Sequence, residues 1–530
     1  MPSPWEDRVG IEGQRIVRAT GVFAGATLLS RILGLLRDIA ISWVFGAGTM
    51  TDAFFVAFAI PNFFRRLVGE GSLTVAVVPV YTDYLTGKKE GREEAFRAIL
   101  GATTLVLVIL VGVGIWASPL LVRLQVFGWE NARTLSLTAD LTRICFPYLF
   151  FISLVALMMG VLNAHGHFFA PAVSPCLLNL SLIGGAIVSP LFNPPVLALA
   201  WGVVLGGILQ LLLQIPFVTR KGLPVYPAFD LGHPAVREVG KFMLPMVFAA
   251  SVFQINQIVN RLLASYLPHG SISYLYYADR IFELPIGLFA VALGVAVLPS
   301  FSRYVSRGDL GGLRTEVTDS LRLSLFLTFP SMILLLAFGK PIVTVIFQHG
   351  AFGPRDSVLT AQALLAYSVG LWAYGGIQVL SRAFYALKDP KTPVKAALVA
   401  SGVNLTFGML LMGPLRHSGL ALANSLSAVC NFLLLFLWFD KRIGFHKREL
   451  VRGVGSTLLC SLPVIPWLLF VKGMGEWLSE GSSFGGVLLL LLGVFGALGI
   501  FLGLSFLSGS RELRGLLSGV FGRIPSTPEE

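Results

Sequence analysis

Charged side chains are scarce in this sequence. They make up 13% of the 530 residues, whereas hydrophobic residues make up 55% and the mean hydropathy is +0.78. A soluble protein needs about a quarter of its residues charged, so a soluble fold is excluded. Apolar runs long enough to cross a bilayer core of roughly 30 Å recur along the chain. Because these runs lack the short alternation of barrel strands, they predict an all-α polytopic membrane protein.

Cysteine is also rare, and the common enzyme motifs are missing. The four cysteines lie in apolar segments without C-x-x-C spacing, and they are Cys145, Cys176, Cys430 and Cys460. This placement indicates core residues rather than disulfides or metal ligands. The sequence contains no G-x-x-x-x-G-K-[ST], H-E-x-x-H or G-x-S-x-G motif. We therefore expect neither an enzyme nor a bound cofactor.

The apolar runs predict fourteen transmembrane helices. Numbered from 1 to 14 in chain order, the predicted helices are 19–45, 50–84, 93–121, 134–163, 168–190, 196–218, 238–266, 272–305, 314–337, 356–386, 393–412, 418–439, 450–471 and 484–508. Several are longer than a minimal span, which indicates tilting or extension beyond the bilayer.

Most of the positive charge lies in alternate loops. The formal net charge is +12, but the cations form no basic domain of the kind that binds nucleic acid. One set of loops, which includes both termini, holds 25 of the 40 lysine and arginine residues, and the opposite set holds six. The positive-inside rule therefore predicts that both termini are cytoplasmic.

The sequence also repeats internally. VAVVPVYTDY at 75–84 matches VAVLPSFSRY at 295–304, an offset of 220 residues. NAHGHFFAP at 163–171 parallels YALKDPKTP at 385–393, an offset of 222 residues. An even number of helices per repeat makes the two repeats parallel, so that an axis along the membrane normal relates them.

The repeat predicts two six-helix lobes and an additional helix pair. The lobes are residues 1–218 and 219–440, and the segment 441–530 holds helices 13 and 14 with a cytoplasmic tail. Helices 2 and 8, which correspond in the repeat, are interrupted near Pro61 and Pro285. Interrupted helices at matching positions indicate a central site with hinges.

Nine arginines and no lysines lie inside the apolar segments. Each would cost about 2.5–3.5 kcal/mol at the bilayer centre on insertion scales, so these arginines must face water, acids or a ligand. Acids in the apolar segments are too few to neutralise nine guanidinium groups. We therefore predict a cationic central cavity for an anionic substrate, and its candidate residues are Arg31, Arg37, Asp38, Asp52, Arg65, Arg66 and Arg280.

Two of these candidates are acids. Asp38 follows Arg31 by seven residues and lies close to the same helix face, which predicts an Arg31–Asp38 pair and leaves Arg37 unpaired. Asp52 lies at the start of helix 2, where a carboxylate suits the positive end of the helix dipole. The alternative is that the arginines form structural ion pairs. We favour this alternative for the arginines that lack a partner pattern, Arg143, Arg322 and Arg382.

Four stretches of the sequence resemble one known family. SRILGLLRD, FGAGTMTDAFFVAFAIPNFFRRLVGEG, YYADRIFELPIGLFAVALGVAVLPSFSR and FYALKDPKTPV are similar to the MurJ (MviN) lipid II flippases of the multidrug/oligosaccharidyl-lipid/polysaccharide exporter superfamily. The resemblance implies transport of an undecaprenyl-pyrophosphate-linked peptidoglycan precursor across the bacterial inner membrane. It also implies alternating access of two lobes around essential arginines at Arg31, Arg37, Arg65 and Arg280, with Asp52 as an important acid. The implied partners are lipid II, the bilayer and the cell-wall synthesis machinery, and the resemblance gives helices 13 and 14 a groove for the lipid tail.

The resemblance leaves the energy source and the substrate open. Some relatives bind sodium through aspartates, and the matching positions here hold Asn260, Asn404, Gly408 and Asn424. Since cation sites normally rely on carboxylates, these residues argue against sodium coupling. Three alternatives remain: a flippase for another polyprenyl-linked oligosaccharide, a cation or drug antiporter of the same superfamily, and a polytopic glycosyltransferase.

Overall fold

The structure, a computed structural model, describes residues 4–475 and 484–521. Side chains are described from residue 25 onward, except at 68–71, 248–253, 255 and 519–521. Every regular element in those ranges is a helix. A helix satisfies all of its backbone N–H and C=O groups within one segment, as the bilayer interior requires. The predicted all-α class is confirmed.

Contacts between Cα atoms divide the chain into two units, Met1–Gly270 and Ser271–Glu530. The helices described in the first unit are α1 (Pro4–Phe45), α2 (Thr49–Phe64), α3 (Thr74–Leu85), α4 (Arg92–Gln125), α5 (Ala132–Cys145), α6 (Tyr148–Ala164), α7 (Phe169–Val188), α8 (Leu197–Thr219) and α9 (Pro234–Ala264). Those described in the second unit are α10 (Ser271–Pro285), α11 (Ala292–Ser306), α12 (Leu310–Phe347), α13 (Pro354–Ser368), α14 (Leu371–Ala386), α15 (Lys391–Arg442), α16 (Lys447–Ser461), α17 (Val464–Gly473), α18 (Phe484–Leu507) and α19 (Arg511–Phe521).

Each of the fourteen predicted segments is largely helical. Among the described residues, nine helical spans are long and apolar enough to cross a membrane, and α13 with α14, bent by 42°, makes a tenth. Predicted helices 11 and 12 are continuous in α15 except at Arg416, whose φ of 51° and ψ of −132° break the helix. The number of membrane crossings remains a prediction.

The interruptions predicted in helices 2 and 8 are present. π-helical turns occupy Arg65–Leu73, between α2 and α3, and Ile286–Val291, between α10 and α11. Each follows a proline, Pro61 or Pro285, whose missing N–H weakens the regular α-helical hydrogen-bond ladder. Their first residues are 221 positions apart, which agrees with the offset of the sequence repeat. The two units therefore contain the same irregularity at corresponding positions.

Glycines allow a close contact between two helices of the first unit. A Cβ atom at Gly185 of α7 would lie 2.8 Å from the carbonyl oxygen of Ala198, and one at Gly202 of α8 would lie 3.0 Å from that of Ser181. Only glycine permits backbones to approach this closely, and small residues drive such packing between helices in membranes. The α7–α8 pair is therefore a fixed support for the residues that α7 presents to α1.

Large apolar side chains cover much of the outer surface. Trp116, Leu191 and Phe484 are 82%, 83% and 88% exposed, whereas the polar side chains of Gln214 and Asn404 are fully buried. Soluble proteins rarely expose extensive apolar patches. The exposed surface therefore contacts lipid, and the chain is embedded in a membrane.

Helix α9 packs within the first unit, against α3, α4 and the π-helical turns of Arg65–Leu73. Lys89, before α4, donates to Glu238 of α9 at 2.6 Å, and this hydrogen bond raises the pKa of the Lys89 ammonium. The boundary between the two contact units therefore lies after α9, whereas the sequence repeat places the boundary between the lobes before α9. The lobes 1–218, 219–440 and 441–530 remain predictions drawn from the repeat.

Helix α19 is not among the helices predicted from the sequence. These eleven residues are too short to span a bilayer, so they fall in the predicted cytoplasmic tail. The hydroxyl of Ser510 accepts a hydrogen bond from the Leu513 N–H at 3.3 Å. This contact caps the first turn, and it shows why the helix begins directly after Ser510.

Candidate anion-binding site

On α1, Arg37 and Asp38 form a buried ion pair. The Nε and Nη2 atoms of Arg37 donate to Oδ1 of Asp38 at 2.9 and 2.7 Å. Its Nη1 atom donates to Oδ1 of Asn179 on α7 at 3.1 Å. Asp38 is 1% exposed. These contacts hold one guanidinium group at the interface of α1 and α7.

The predicted Arg31–Asp38 pair does not form. Arg31 is exposed and has no ion-pair partner among the described residues. Helical spacing places Asp38 close to the face of Arg31, but the long side chain of Arg37 reaches the neighbouring carboxylate instead. The prediction is wrong because side-chain direction, as well as residue spacing, decides which groups meet on a helix.

Arg65 and Arg66 begin the π-helical turns that follow α2. Arg65 donates from Nε to Oδ1 of Asn62 at 2.6 Å and also shares a hydrogen bond with the Tyr148 hydroxyl. Arg66 is exposed, and its charge lies close to those of Arg65 and of Arg261 on α9. Since π-helical turns are common at functional sites, the position of these two arginines agrees with a binding role.

Tyr148, the first residue of α6, connects Arg37 of α1 with Arg65 of the π-helical turns. Its side chain is 1% exposed. The hydroxyl contacts Arg65, and the charge of Arg37 also lies nearby. A buried tyrosine hydroxyl normally requires a hydrogen-bond partner. One tyrosine at the start of an otherwise apolar helix is the signal in the sequence that could have identified this residue.

Four guanidinium groups form a connected series, which we call the arginine cluster: Arg37, Arg65, Arg66 and Arg261. Arg261 donates to Oε1 of Gln125 at 3.0 Å. Asp38 supplies the carboxylate that pairs with Arg37. The cluster therefore brings four guanidinium groups together in one part of the first unit. Guanidinium forks match phosphate oxygens two at a time, so this arrangement is suited to a phosphate or pyrophosphate group.

Asp52 has a different environment. It lies in the first turn of α2 and is 1% exposed. Its Oδ2 atom accepts a hydrogen bond from the Gly270 N–H at 2.6 Å. This contact fixes the start of α2 to the end of the first unit. In this conformation, burial keeps the carboxylate away from direct contact with a substrate.

Arg280 lies on α10 in the second unit and is half-buried. It donates to Oε2 of Glu283 at 2.9 Å and to the Tyr276 hydroxyl at 3.3 Å. Its guanidinium carbon lies 4.7 Å from the centre of the Tyr276 ring. The ring and the carboxylate hold the guanidinium group on one side of the helix, six residues before the π-helical turns begin at Ile286.

The arginines assigned to structural pairs differ among themselves. Arg322 is buried in an ion pair with Glu512, and Arg143 forms an exposed pair with Asp140. Arg382 instead lies over the Tyr385 ring, 5.8 Å from its centre. The predicted ion pairs are confirmed for Arg322 and Arg143.

Comparison with known proteins identifies the family of this chain. Residues 41–488 match the profile of the family described as Lipid II flippase MurJ. The Lipid II flippase MurJ of Burkholderia cenocepacia is 36% identical over 472 residues, which cover 87% of this chain and 90% of that protein. The chain belongs to the MurJ family.

Solved structures agree with the MurJ assignment. The chain matches a structure of Lipid II flippase MurJ in an inward closed conformation with a TM-score of 0.75 and 28% identity, over 92% of this chain and 98% of that one. It also matches an inward-facing multidrug resistance MATE family transporter of the MOP superfamily with a TM-score of 0.63, over 80% of this chain and 97% of that one. At 14% identity, this second likeness concerns the fold alone.

The four positions considered for sodium in the MurJ comparison lie on two helices. Asn260 is on α9, whereas Asn404, Gly408 and Asn424 are on α15. Asn404 is fully buried, and Asn424 is hydrogen-bonded to Tyr374. Neutral amides at these positions attract a cation less strongly than carboxylates would. The absence of sodium coupling remains a prediction.

Proposed function

We propose that this chain is a lipid II flippase, which moves an undecaprenyl-pyrophosphate-linked head group from the cytoplasmic to the periplasmic leaflet. The arginine cluster carries the proposal, because four guanidinium groups close together suit a pyrophosphate group better than a cation or a neutral drug. Membership of the MurJ family supports the choice of lipid II over another polyprenyl-linked oligosaccharide. The protein is a transporter rather than an enzyme, and no covalent step is involved.

The proposed topology has fourteen spans in the bacterial inner membrane, with both termini in the cytoplasm. Two parallel six-helix lobes are followed by helices 13 and 14. Helix 13 corresponds to α16 together with α17, and helix 14 corresponds to α18. Support comes from the alternation of charged loops and from the two π-helical segments, whose first residues are 221 positions apart. In parallel repeats, corresponding irregular segments have the same orientation in the membrane.

In the proposed mechanism, Arg37 and Arg65 hold the pyrophosphate through charge-assisted hydrogen bonds. Asp38 and Asn179 orient Arg37, while Tyr148 and Asn62 orient Arg65. The exposed Arg31 and Arg66 attract the anion, and Arg280 contributes from the second lobe. Binding offsets the repulsion among like charges, and this change favours the rocking of the lobes that exposes the head group to the periplasm. Asp52 fixes the start of α2.

The membrane potential is the proposed energy source. When one elementary charge crosses the membrane, its free energy changes by about 2.3 kcal/mol per 100 mV. Both the arginines and the pyrophosphate carry charge. The proposed partners are lipid II, the bilayer and the cell-wall synthesis machinery that uses the product.

The decisive experiment is transport of labelled lipid II by the purified protein in liposomes, with and without an imposed potential. We expect transport above that of empty liposomes, with a rate that depends on the potential. A parallel sample with another polyprenyl-pyrophosphate-linked sugar tests the head group. Transport of that sugar alone, or of neither lipid, would overturn the proposal.

Substitution of Tyr148 by phenylalanine is expected to slow lipid II transport about tenfold. A hydrogen bond to a charged group contributes about 1.5–3 kcal/mol, and the variant removes the one to Arg65 while it keeps the ring. The matched control is Tyr81→Phe, because Tyr81 is equally buried and its hydroxyl has no hydrogen-bond partner among the described residues. Equal rates for the two variants in the liposome assay would contradict the role of Tyr148.

A further inference from the structure

A second buried arginine network lies in the second unit, around Arg322. Arg322 of α12 donates from Nε to Oε1 of Glu512 at 2.9 Å, and its Nη2 atom lies 2.6 Å from the same oxygen. The two side chains are 9% and 7% exposed. Nη1 of Arg322 lies 3.4 Å from Asp319 and 3.7 Å from Glu449. One guanidinium thus joins α12 to the first turns of α16 and α19.

Glu512 is held in place from its other side. Ser510 donates its hydroxyl hydrogen to Oε2 of Glu512 at 2.8 Å, and the Ser510 hydroxyl oxygen accepts a hydrogen bond from the Leu513 N–H at 3.3 Å. Ser510 is 8% exposed. The residue that caps α19 therefore also orients the carboxylate, so the direction of α19 and the position of Glu512 are fixed together.

Gly453 of α16 lies directly against this ion pair. A Cβ atom there would lie 2.5 Å from Nε of Arg322 and 3.0 Å from Oε1 of Glu512. By contrast, a Cβ atom at Gly455, two residues later on the same helix, would meet no atom within 4 Å. The first position requires glycine because of the ion pair, and the second does not.

The C-terminal helices have one main attachment to the rest of the second unit. Among the described helices, α16, α17, α18 and α19 each pack against α12, and α18 packs against the other three. Their other faces are largely apolar and exposed, as Phe470 and Phe495 show at 63% and 64%. Apolar packing against α12 competes weakly with lipid, since lipid tails are equally apolar. A buried ion pair with fixed geometry therefore has a large share in setting their position.

We propose that Arg322 is a positioning residue, which, through Glu512, fixes helices α16–α19 to α12 so that they move with α12 during transport. The proposal rests on the proposed function and on the lipid-tail groove that the family resemblance implies for helices 13 and 14. Arg322 has no direct contact with the head group in this scheme. Its loss therefore impairs delivery of the tail and leaves the arginine cluster intact.

The first test compares variants in the liposome assay. Arg322→Ala and Gly453→Ala are expected to slow lipid II transport at least about tenfold, because each disrupts a buried charge pair. Gly455→Ala is the matched control and is expected to transport at the wild-type rate. The exchange Arg322→Glu with Glu512→Arg is expected to recover much of the activity. Wild-type rates for Gly453→Ala, or no recovery in the exchanged variant, would overturn the proposal.

The second test is independent of transport. The Sγ atom of Cys460 on α16 lies 3.6 Å from the Ser508 hydroxyl oxygen, just before α19. A Ser508→Cys variant is therefore expected to form a disulfide with Cys460 in mild oxidant, and the rate of cross-linking reports the position of α19. Adding Arg322→Ala is expected to slow cross-linking severalfold, whereas Gly455→Ala is not. An unchanged rate would show that Arg322 does not position α19.

The two tests separate failure of this inference from failure of the proposed function. If wild-type protein does not transport lipid II, the proposed function fails, and cross-linking still decides whether Arg322 positions α19. If wild-type protein transports lipid II and Arg322→Ala slows cross-linking but not transport, the positioning is real but has no part in transport. That result also overturns the proposal.

Discussion

Replacement of Arg65 by alanine is expected to lower lipid II transport at least about 100-fold, which is the usual effect of removing one preorganised charged donor. Arg65 lies at the centre of the arginine cluster, between Tyr148 and Arg66. It starts the π-helical segment, and its hydrogen bonds to Asn62 and Tyr148 hold the fork in one orientation.

The conservative variant separates charge from shape. Arg65→Lys keeps the positive charge but loses the planar fork that contacts two oxygens together. We expect an intermediate rate, about tenfold below wild type, as one lost charge-assisted hydrogen bond would give. The measurement is transport of labelled lipid II in liposomes, with protein content and orientation matched among samples.

The control for Arg65 is Arg143→Ala. Arg143 pairs with Asp140 at 2.8 Å, and both side chains are about half exposed. An exposed pair of this kind contributes little, about 0–1 kcal/mol, so the variant should transport at the wild-type rate. A normal rate for Arg65→Ala would remove the arginine cluster from the mechanism. An equal loss in both variants would indicate a general sensitivity to arginine loss.

Replacement of Gly101 by alanine is expected to destabilise the first unit by about 3 kcal/mol, which is the upper end of the usual cost of overpacking. A Cβ atom at Gly101 of α4 would overlap the backbone carbonyl of Ala228. That segment is held in place, because the Ala228 N–H donates to the Arg97 carbonyl at 3.0 Å and Arg97 lies over the Tyr226 ring. Backbone atoms fixed at both ends cannot move aside as a flexible side chain can.

Gly112 provides the control on the same helix. A Cβ atom there would meet no atom within 4 Å. Alanine also favours a helix over glycine by about 0.5–1 kcal/mol, so Gly112→Ala should be unchanged or slightly more stable. The measurements are the melting temperature and the fraction of monodisperse protein after purification. If Gly101→Ala had the same melting temperature as Gly112→Ala, the segment around residue 228 would be able to shift away from α4.

Much of the fold can be predicted from the sequence, because hydrophobic runs interrupted by charged loops leave few alternatives in a membrane. The helical class follows from composition, and the interruptions of helices 2 and 8 follow from Pro61 and Pro285. Helix α19 cannot be predicted in the same way. It is short, and only its cap and the contact with Arg322 indicate that it is ordered.

For the candidate site, the sequence determines the excess of arginine in apolar segments, since the acids in those segments are too few to neutralise it. Only the tertiary structure decides how these arginines are held. Asp38 pairs with Arg37 instead of Arg31, and Asn179, 142 residues from Arg37, completes that contact. Arg322 meets Glu512 across 190 residues. Composition and spacing are local properties, but ion pairs and hydrogen bonds depend on distances of about 3 Å between side chains, which helix packing alone establishes.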